Sequence, residues 1–298
     1  MQQFQWTPTL RAAVAAALVL TGVGASHAAS QAPVAAEHGM VVSAQHLATK
    51  VGVDVLKRGG NAVDAAVAVG YALAVVYPAA GNLGGGGFMT VQLADGRKTF
   101  LDFREKAPLA ATPNMYLDKD GNVIKGLSTN GHLAVGVPGT VSGMEYAREK
   151  YGTMKRADLI APSIQLADKG FALEQGDIDM LRTSTNDFKK DPVSGAIFLN
   201  KGEPFAVGQK LVQKDLAKTL RAVSAKGVDG FYKGWVGQAI VASSQAGKGI
   251  ITQADLDQYK TRELAPVECD YRGYRVVSAP PPSSGGVIIC EMLNILEG

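Results

Sequence analysis

The most chemically suggestive residues lie in the tetrad Asp102-Phe103-Arg104-Glu105. Alternating apolar and polar residues predict a strand over 98–103, and its period of two places Arg104 on the same side as Asp102. A guanidinium at the end of a strand can hold a carboxylate through two parallel hydrogen bonds. An arginine beside Asp102 and Glu105 suits a structural or surface ion pair equally well, and that is the commoner arrangement.

A glycine run, Gly84-Gly85-Gly86-Gly87, precedes the strand that starts at Phe88. Glycine loops can bring backbone N–H groups close to phosphates, but here the order is helix, glycines, strand, which reverses the dinucleotide-binding arrangement. The spacings typical of phosphate-binding loops are also missing. The run therefore indicates a close approach of two backbone segments that leaves no room for a Cβ atom.

The sequence gives no support for a metal site or a cofactor, and little for a serine nucleophile. None of its histidines has the spacing of a zinc motif; they are His27, His38, His46 and His132. The segment Ser283-Ser284-Gly285-Gly286 follows three prolines and is more typical of a turn entering a helix than of a nucleophile elbow.

Two helices are expected near the start of the folded region, over 47–58 and 62–77. Gly59-Gly60 can end the first, and Asn61 can cap the second, with Asp64 in its first turn. The second helix is apolar on nearly every side, so it must be buried. We expect it to pack on a sheet.

A hairpin is predicted next, with strands over 88–93 and 98–103 joined by Ala94-Asp95-Gly96-Arg97, because Asp-Gly between alternating segments favours a tight turn. Glycine and proline residues between the later segments then mark the ends of several further predicted elements. They are helices near 139–150, 158–169, 213–226, 231–246 and 252–260, a strand over 274–278 and an apolar helix from about 286.

Composition indicates an ordinary globular α/β or α+β protein, with 46% hydrophobic and 19% charged residues among 298 and a formal net charge of +3. Residues 1–28 resemble a signal peptide, with Arg11, an apolar run too short to span a bilayer, and small residues ending at Ala28. We therefore expect a secreted or periplasmic protein with no membrane anchor, in which 29–37 is a tether and 38–298 the domain. The sequence contains no basic cluster of the kind that binds nucleic acid, so we expect no nucleic-acid partner.

The chain contains two cysteines, Cys269 and Cys290. In an oxidising compartment they could form a disulfide bond. They suit two buried thiols equally well, and the sequence leaves this choice open.

Six segments, in order, resemble the γ-glutamyltransferase family. They are GGNAVDAAVAVGYALAVVYP (59–78), GNLGGGGFM (81–89), LDFREKAP (101–108), GVPGTVSGM (136–144), DGFYKGWVGQAIV (229–241) and YRGYRVVSAPPPSSGG (271–286). The resemblance implies an α+β fold that is part of a four-layer αββα N-terminal-nucleophile hydrolase. It also implies a proenzyme that cuts itself into a large and a small subunit.

By this resemblance, Arg104 corresponds to the large-subunit arginine that binds the α-carboxylate of γ-glutamyl substrates such as glutathione. Asp102 and Glu105 are candidates for orienting it. The family's cut site, paired threonines followed by histidine, has no counterpart in this sequence. We therefore expect the catalytic threonine beyond Gly298, in the small subunit, and no activity from this chain alone. A related amide acylase and a non-catalytic periplasmic binding module are the alternatives.

Overall fold

Two capped helices come first among the described elements, and both occupy the predicted positions. Helix α1 (His46–Lys57) is followed by Gly59, whose φ of +85° is the left-handed conformation that ends a helix without strain. Helix α2 (Ala62–Val76) begins with a capping box, in which the backbone N–H of Asp64 donates to Asn61 Oδ1 at 2.9 Å and that of Asn61 donates to Asp64 Oδ2 at 3.0 Å.

Helix α2 is buried on most of its faces, but its main neighbours are helices. It packs against α1, α3 (Thr140–Tyr151) and α4 (Arg156–Lys169). Its nearest neighbours are thus helices, and the expected packing on a sheet stays a prediction. A helix that is apolar all round must be covered on several sides, but its sequence does not specify which kind of element covers it.

A three-stranded antiparallel sheet carries the tetrad. Strands β1 (Phe88–Gln92) and β2 (Lys98–Asp102) form the predicted hairpin, and Gly96 has a φ of +86° in the turn between them. The third strand, which the sequence did not predict, pairs with the other edge of β2, so β2 lies at the centre.

The remaining elements are β3 (Phe171–Ala172), α5 (Gln175–Arg182), α6 (Thr185–Lys190), α7 (Pro192–Phe198), β4 (Lys210–Leu211), α8 (Lys214–Lys226), α9 (Val228–Tyr232), α10 (Gly234–Ala246), α11 (Gln253–Gln258), β5 (Arg262–Leu264), β6 (Val267–Tyr271), β7 (Tyr274–Ser278) and α12 (Gly285–Glu297). The sequence did not predict β5, β6 or the elements between residues 171 and 211. The helix expected over 231–246 is two helices, because Lys233 is extended and Gly234 has a φ of +66°.

The C-terminal elements are joined by a disulfide bond between Cys269 on β6 and Cys290 on α12. This settles the choice that the sequence left open. Much of α12 remains exposed, including the apolar side chains of Ile288, Met292 and Ile295.

The computed structural model describes residues 33–298, and the predicted signal peptide over 1–28 lies outside the described residues. Residues 40–298 form one compact unit, whereas 33–39 contain no helix or strand and are exposed. The mixture of helices and antiparallel strands confirms the α+β class. None of the helices within 33–298 combines the length and apolar character needed to cross a membrane.

Candidate functional site

Arg104 lies immediately after the central strand β2 and projects from a buried backbone. Asp102 and Phe103 are each only 3% exposed, whereas the arginine is exposed. Its backbone N–H donates to Asp102 Oδ1 at 3.1 Å. Within residues 33–298, no carboxylate oxygen lies within 4.0 Å of the Arg104 guanidinium. The side chain is thus anchored at its base and has no acidic partner at its tip.

Asp102 forms an ion pair with a different arginine, Arg262 on β5. These two residues are directly opposite each other in the antiparallel pairing of β2 and β5. The Nε of Arg262 donates to Asp102 Oδ2 at 3.0 Å, and its Nη2 donates to the same oxygen. The interpretation of Arg104 as the ion-pair partner of Asp102 or Glu105 is therefore wrong for this structure.

The glycine run lies directly against the Arg104 segment. A Cβ atom added to Gly86 would lie 2.6 Å from the Phe103 carbonyl oxygen, 2.7 Å from Glu105 N and 2.8 Å from Arg104 Cα. Backbone hydrogen bonds in both directions between Gly87 and Phe103, at 3.1 and 3.3 Å, extend the hairpin past β2. The prediction of a close backbone approach is confirmed at Gly86.

A third segment, 136–140, completes the contact. The carbonyl oxygen of Gly85 accepts hydrogen bonds from the N–H groups of Gly139 at 2.7 Å and Thr140 at 3.1 Å. Lys106 and Val137 exchange two backbone hydrogen bonds, at 2.8 and 3.2 Å. Two segments that are distant in the sequence, the glycine run and 136–140, therefore hold the backbone on either side of Arg104.

Tyr259, just after α11, holds Arg104 from another direction. Its hydroxyl donates to the Arg104 carbonyl oxygen at 2.8 Å, and its ring stacks on that of Tyr232 with centroids 5.9 Å apart. Burial raises the pKa of Tyr259, and the charges of Asp102 and Glu105 raise it further. The phenol therefore remains a protonated donor at neutral pH.

Sequence reasoning missed Tyr259 and Arg262. Arg262 is 160 residues from Asp102 in the chain and lies on a strand of only three residues. So short a strand has no detectable period of two. The only local signal is the charged pair before Leu264-Ala265-Pro266, which does not indicate the pairing partner.

An apolar cavity of about 510 Å³ borders the glycine run at Gly84 and the third segment at Pro138, but Arg104 is not among its lining residues. Phe231, Trp235 and Ile240 are among its lining residues, and His132 at its wall shares a hydrogen bond of 3.2 Å with Ser243. Its described lining includes no arginine or lysine that could pair with a carboxylate. In the described part of the chain, no cluster of three or more His, Cys, Asp or Glu residues could hold a metal ion.

The arrangement around Arg104 is suited to binding an anion. The guanidinium offers a planar pair of donors on an exposed side chain, and its backbone is fixed by hydrogen bonds at both the N–H and the C=O. A carboxylate approaching from solvent would meet no competing acidic partner of Arg104 within 4.0 Å among the described residues.

Comparison with known proteins identifies relatives for most of the chain. The Gamma-glutamyltranspeptidase family model matches residues 48–298. A glutathione hydrolase proenzyme from Pseudomonas sp. (strain A14) is 81% identical over 273 residues, which are 91% of this chain and 48% of the relative. Acylase ACY 1 proenzyme from Pseudomonas sp. (strain SE83) is 39% identical, covering 89% of this chain and 49% of the acylase.

Among solved structures, the Helicobacter pylori gamma-glutamyltranspeptidase superposes with a TM-score of 0.87. The two share 48% sequence identity, over 89% of this chain and 76% of that one. The chain thus spans about half the length of the curated relatives it matches, and nearly all of its described fold is shared with a solved transpeptidase.

Proposed function

The chain belongs to the gamma-glutamyltranspeptidase family, N-terminal-nucleophile hydrolases, and from this we propose that it supplies the carboxylate-binding part of an enzyme acting on γ-glutamyl amides such as glutathione. The enzyme would transfer the glutamyl group to water or to an acceptor amine. The observation that carries the proposal is the exposed guanidinium of Arg104, which has a fixed backbone and no acidic partner within 4.0 Å among residues 33–298.

In this proposal Arg104 binds the α-carboxylate of the γ-glutamyl group through two parallel hydrogen bonds. A substrate without this carboxylate leaves the guanidinium unpaired and forgoes a charge-assisted contact, which provides selectivity. The residue therefore selects the donor and fixes its orientation, and the bond-breaking chemistry belongs to another group.

We place that group outside residues 1–298. A threonine at a new chain terminus can act as nucleophile because its free α-amine accepts the hydroxyl proton, which an internal amide nitrogen cannot do. Its oxygen would attack the γ-carbonyl carbon, the amine would leave with a proton, and water or a second amine would then release the acyl group. The partner of this chain would be a small subunit made by self-cleavage of the same proenzyme.

The acylase alternative has weaker support, because the acylase relative is 39% identical whereas the glutathione hydrolase relative is 81% identical. An acylase for side chains without an α-carboxylate would also have no use for an unpaired arginine at this position. A non-catalytic binding module would require the isolated chain to bind glutamate measurably.

We also propose that residues 1–28 direct export to the periplasm or outside the cell, and that the mature protein consists of a tether followed by the domain over 38–298. The disulfide bond between Cys269 and Cys290 supports export, since such bonds persist mainly in oxidising compartments.

The test uses a complete proenzyme, made by joining residues 1–298 to the C-terminal half of the 81%-identical relative. We expect self-cleavage and hydrolysis of a γ-glutamyl anilide. Arg104→Ala should leave self-cleavage intact and lower kcat/KM by at least about tenfold, because a charge-assisted hydrogen bond contributes roughly 1.5–3 kcal/mol.

Arg97→Ala is the matched control. This arginine is exposed at the far end of the same hairpin, and its one carboxylate partner among residues 33–298 is Asp95 at the surface, so kcat/KM should not change. An anilide of an acid without the α-carboxylate should be a poor substrate for every variant. Normal kcat/KM on the γ-glutamyl donor in the Arg104→Ala enzyme would contradict the proposed role of Arg104.

A further inference from the structure

We propose that Arg262 is a positioning residue that keeps the Arg104 guanidinium available to substrate by holding the Asp102 carboxylate. The inference rests on the proposed function of Arg104. It assigns to Arg262 a role that acts through Asp102 and Arg104, and it makes the Asp102–Arg262 pair a determinant of donor affinity.

The first observation is how completely Asp102 depends on Arg262. Asp102 is 3% exposed, so water cannot solvate its charge. One of its oxygens accepts the Arg104 backbone N–H, and the other is occupied by the guanidinium of Arg262. A buried carboxylate without a cationic partner is strongly unfavourable, so after removal of Arg262 the Asp102 carboxylate would attract another cation.

The second observation concerns which cation could pair with Asp102 in place of Arg262. Lys106 is nearby, but its Nζ donates to the Lys260 carbonyl oxygen at 2.8 Å and lies 4.8 Å from the centre of the Tyr259 ring. Arg104 is two residues from Asp102, and its guanidinium has no acidic partner within 4.0 Å among the described residues. Without Arg262, the Asp102 carboxylate would draw the Arg104 side chain to itself.

The third observation is that Arg262 is held in place by sheet register. It lies directly across from Asp102 in the pairing of β2 with β5, so both side chains extend from the same face of the sheet. The side chain of Arg262 is about half exposed, at 51%, so its replacement by a neutral residue leaves no large internal cavity. The effect of such a replacement should therefore be mainly electrostatic.

The alternative is that Arg262 only stabilises the sheet. The two roles differ in what a second substitution does. Asp102→Asn keeps an oxygen for the Arg104 N–H and removes the charge that competes for the guanidinium. It should therefore reverse the effect of losing Arg262 on substrate affinity, whereas a purely structural defect would persist or grow worse.

The experiment measures KM and kcat of the complete proenzyme after self-cleavage, with a γ-glutamyl anilide as donor. Arg262→Gln should raise KM by at least about tenfold while kcat changes by less than about threefold, because donor binding is impaired and the nucleophile is untouched. The double variant Asp102→Asn/Arg262→Gln should return KM to within about threefold of the parent. Arg262→Lys, which keeps the charge but not the forked donor, should show a smaller rise in KM.

Arg275→Gln is the matched control. Arg275 lies opposite Asp270 in the β6–β7 pairing, binds that carboxylate through two hydrogen bonds, and is similarly exposed at 56%. Its removal breaks a cross-strand ion pair in a different sheet, and because the Asp270 carboxylate is 68% exposed it stays solvated, so KM should stay at the parental value.

An unchanged KM in Arg262→Gln, or a raised KM that Asp102→Asn does not reverse, would overturn the inference. If Arg262→Gln does not fold, the double variant and Arg262→Lys decide the question, since neither leaves a buried unpaired carboxylate. A parental proenzyme that cannot cleave the donor, or an Arg104→Ala variant with normal KM, would instead contradict the proposed function itself.

Discussion

Gly86→Ala tests whether the close approach of the glycine run sets the position of Arg104. The added methyl group would lie 2.6 to 2.8 Å from three backbone atoms of residues 103–105. Carbon atoms pack best at about 3.5–4.0 Å, so the two segments must separate by several tenths of an ångström or more. Backbone atoms cannot rotate away as a flexible side chain can.

The expected cost follows from this overlap. Overpacking of this kind typically destabilises a protein by about 1–3 kcal/mol. The displacement acts directly on the arginine that would hold the substrate, and a shift of about 1 Å in a positioning group can lower the rate by as much as about 100-fold. We therefore expect a fall in kcat/KM for a γ-glutamyl donor of about tenfold or more, with a lower melting temperature.

Gly84→Ala is the matched control from the same run. Apart from Gly84 itself and its two chain neighbours, no atom of the described residues lies within 4 Å of a Cβ built at this position, and its φ is outside the positive range. Gly84→Ala therefore restricts the backbone as Gly86→Ala does, but it introduces no clash. Both variants would be made in the complete proenzyme and compared with the parent by thermal melting, extent of self-cleavage and steady-state kinetics.

Equal behaviour of the two alanine variants would refute the reasoning. If Gly86→Ala had the same melting temperature and kcat/KM as the parent, the close approach of the glycine run would not set the position of Arg104. If it lowered the melting temperature but left kcat/KM unchanged, the contact would stabilise the fold without positioning the arginine.

Two further predictions concern stability. Burial by itself raises the pKa of Glu263, but hydrogen bonds from Lys150, Tyr146, Tyr151 and Thr99 outweigh it and lower the pKa to about 2. The stability that Glu263 contributes is therefore present above about pH 4.5 and lost as the pH falls toward 2. In Glu263→Gln, the urea concentration at the unfolding midpoint should vary less with pH over that range than in the parent. The same pH dependence in both proteins would contradict this. Reduction of the Cys269–Cys290 disulfide, which spans 21 residues, should cost about 3 kcal/mol of stability, and the variant with serine at both positions should melt like the reduced protein. Thiol labelling that requires no prior reduction would show that the bond does not form.

Local features of the fold could be predicted because a few adjacent residues decide them. Asn61 and Asp64 cap α2 through atoms three residues apart, and Asp95-Gly96 forms the turn between β1 and β2 because glycine adopts positive φ without strain. The segment over 171–211 was not predicted, because its helices have only six to eight residues and its strands two. Such short elements carry no periodic signal.

The sequence by itself determined the family, the α+β class and the place of Arg104 at the end of a strand, since these depend on motifs and on short-range periodicity. Only the tertiary structure decided which arginine pairs with Asp102, which hydroxyl holds the Arg104 carbonyl, and which glycine admits no side chain. These contacts join residues that are far apart in the chain. Their energies depend on burial and on a register between strands that no local pattern encodes.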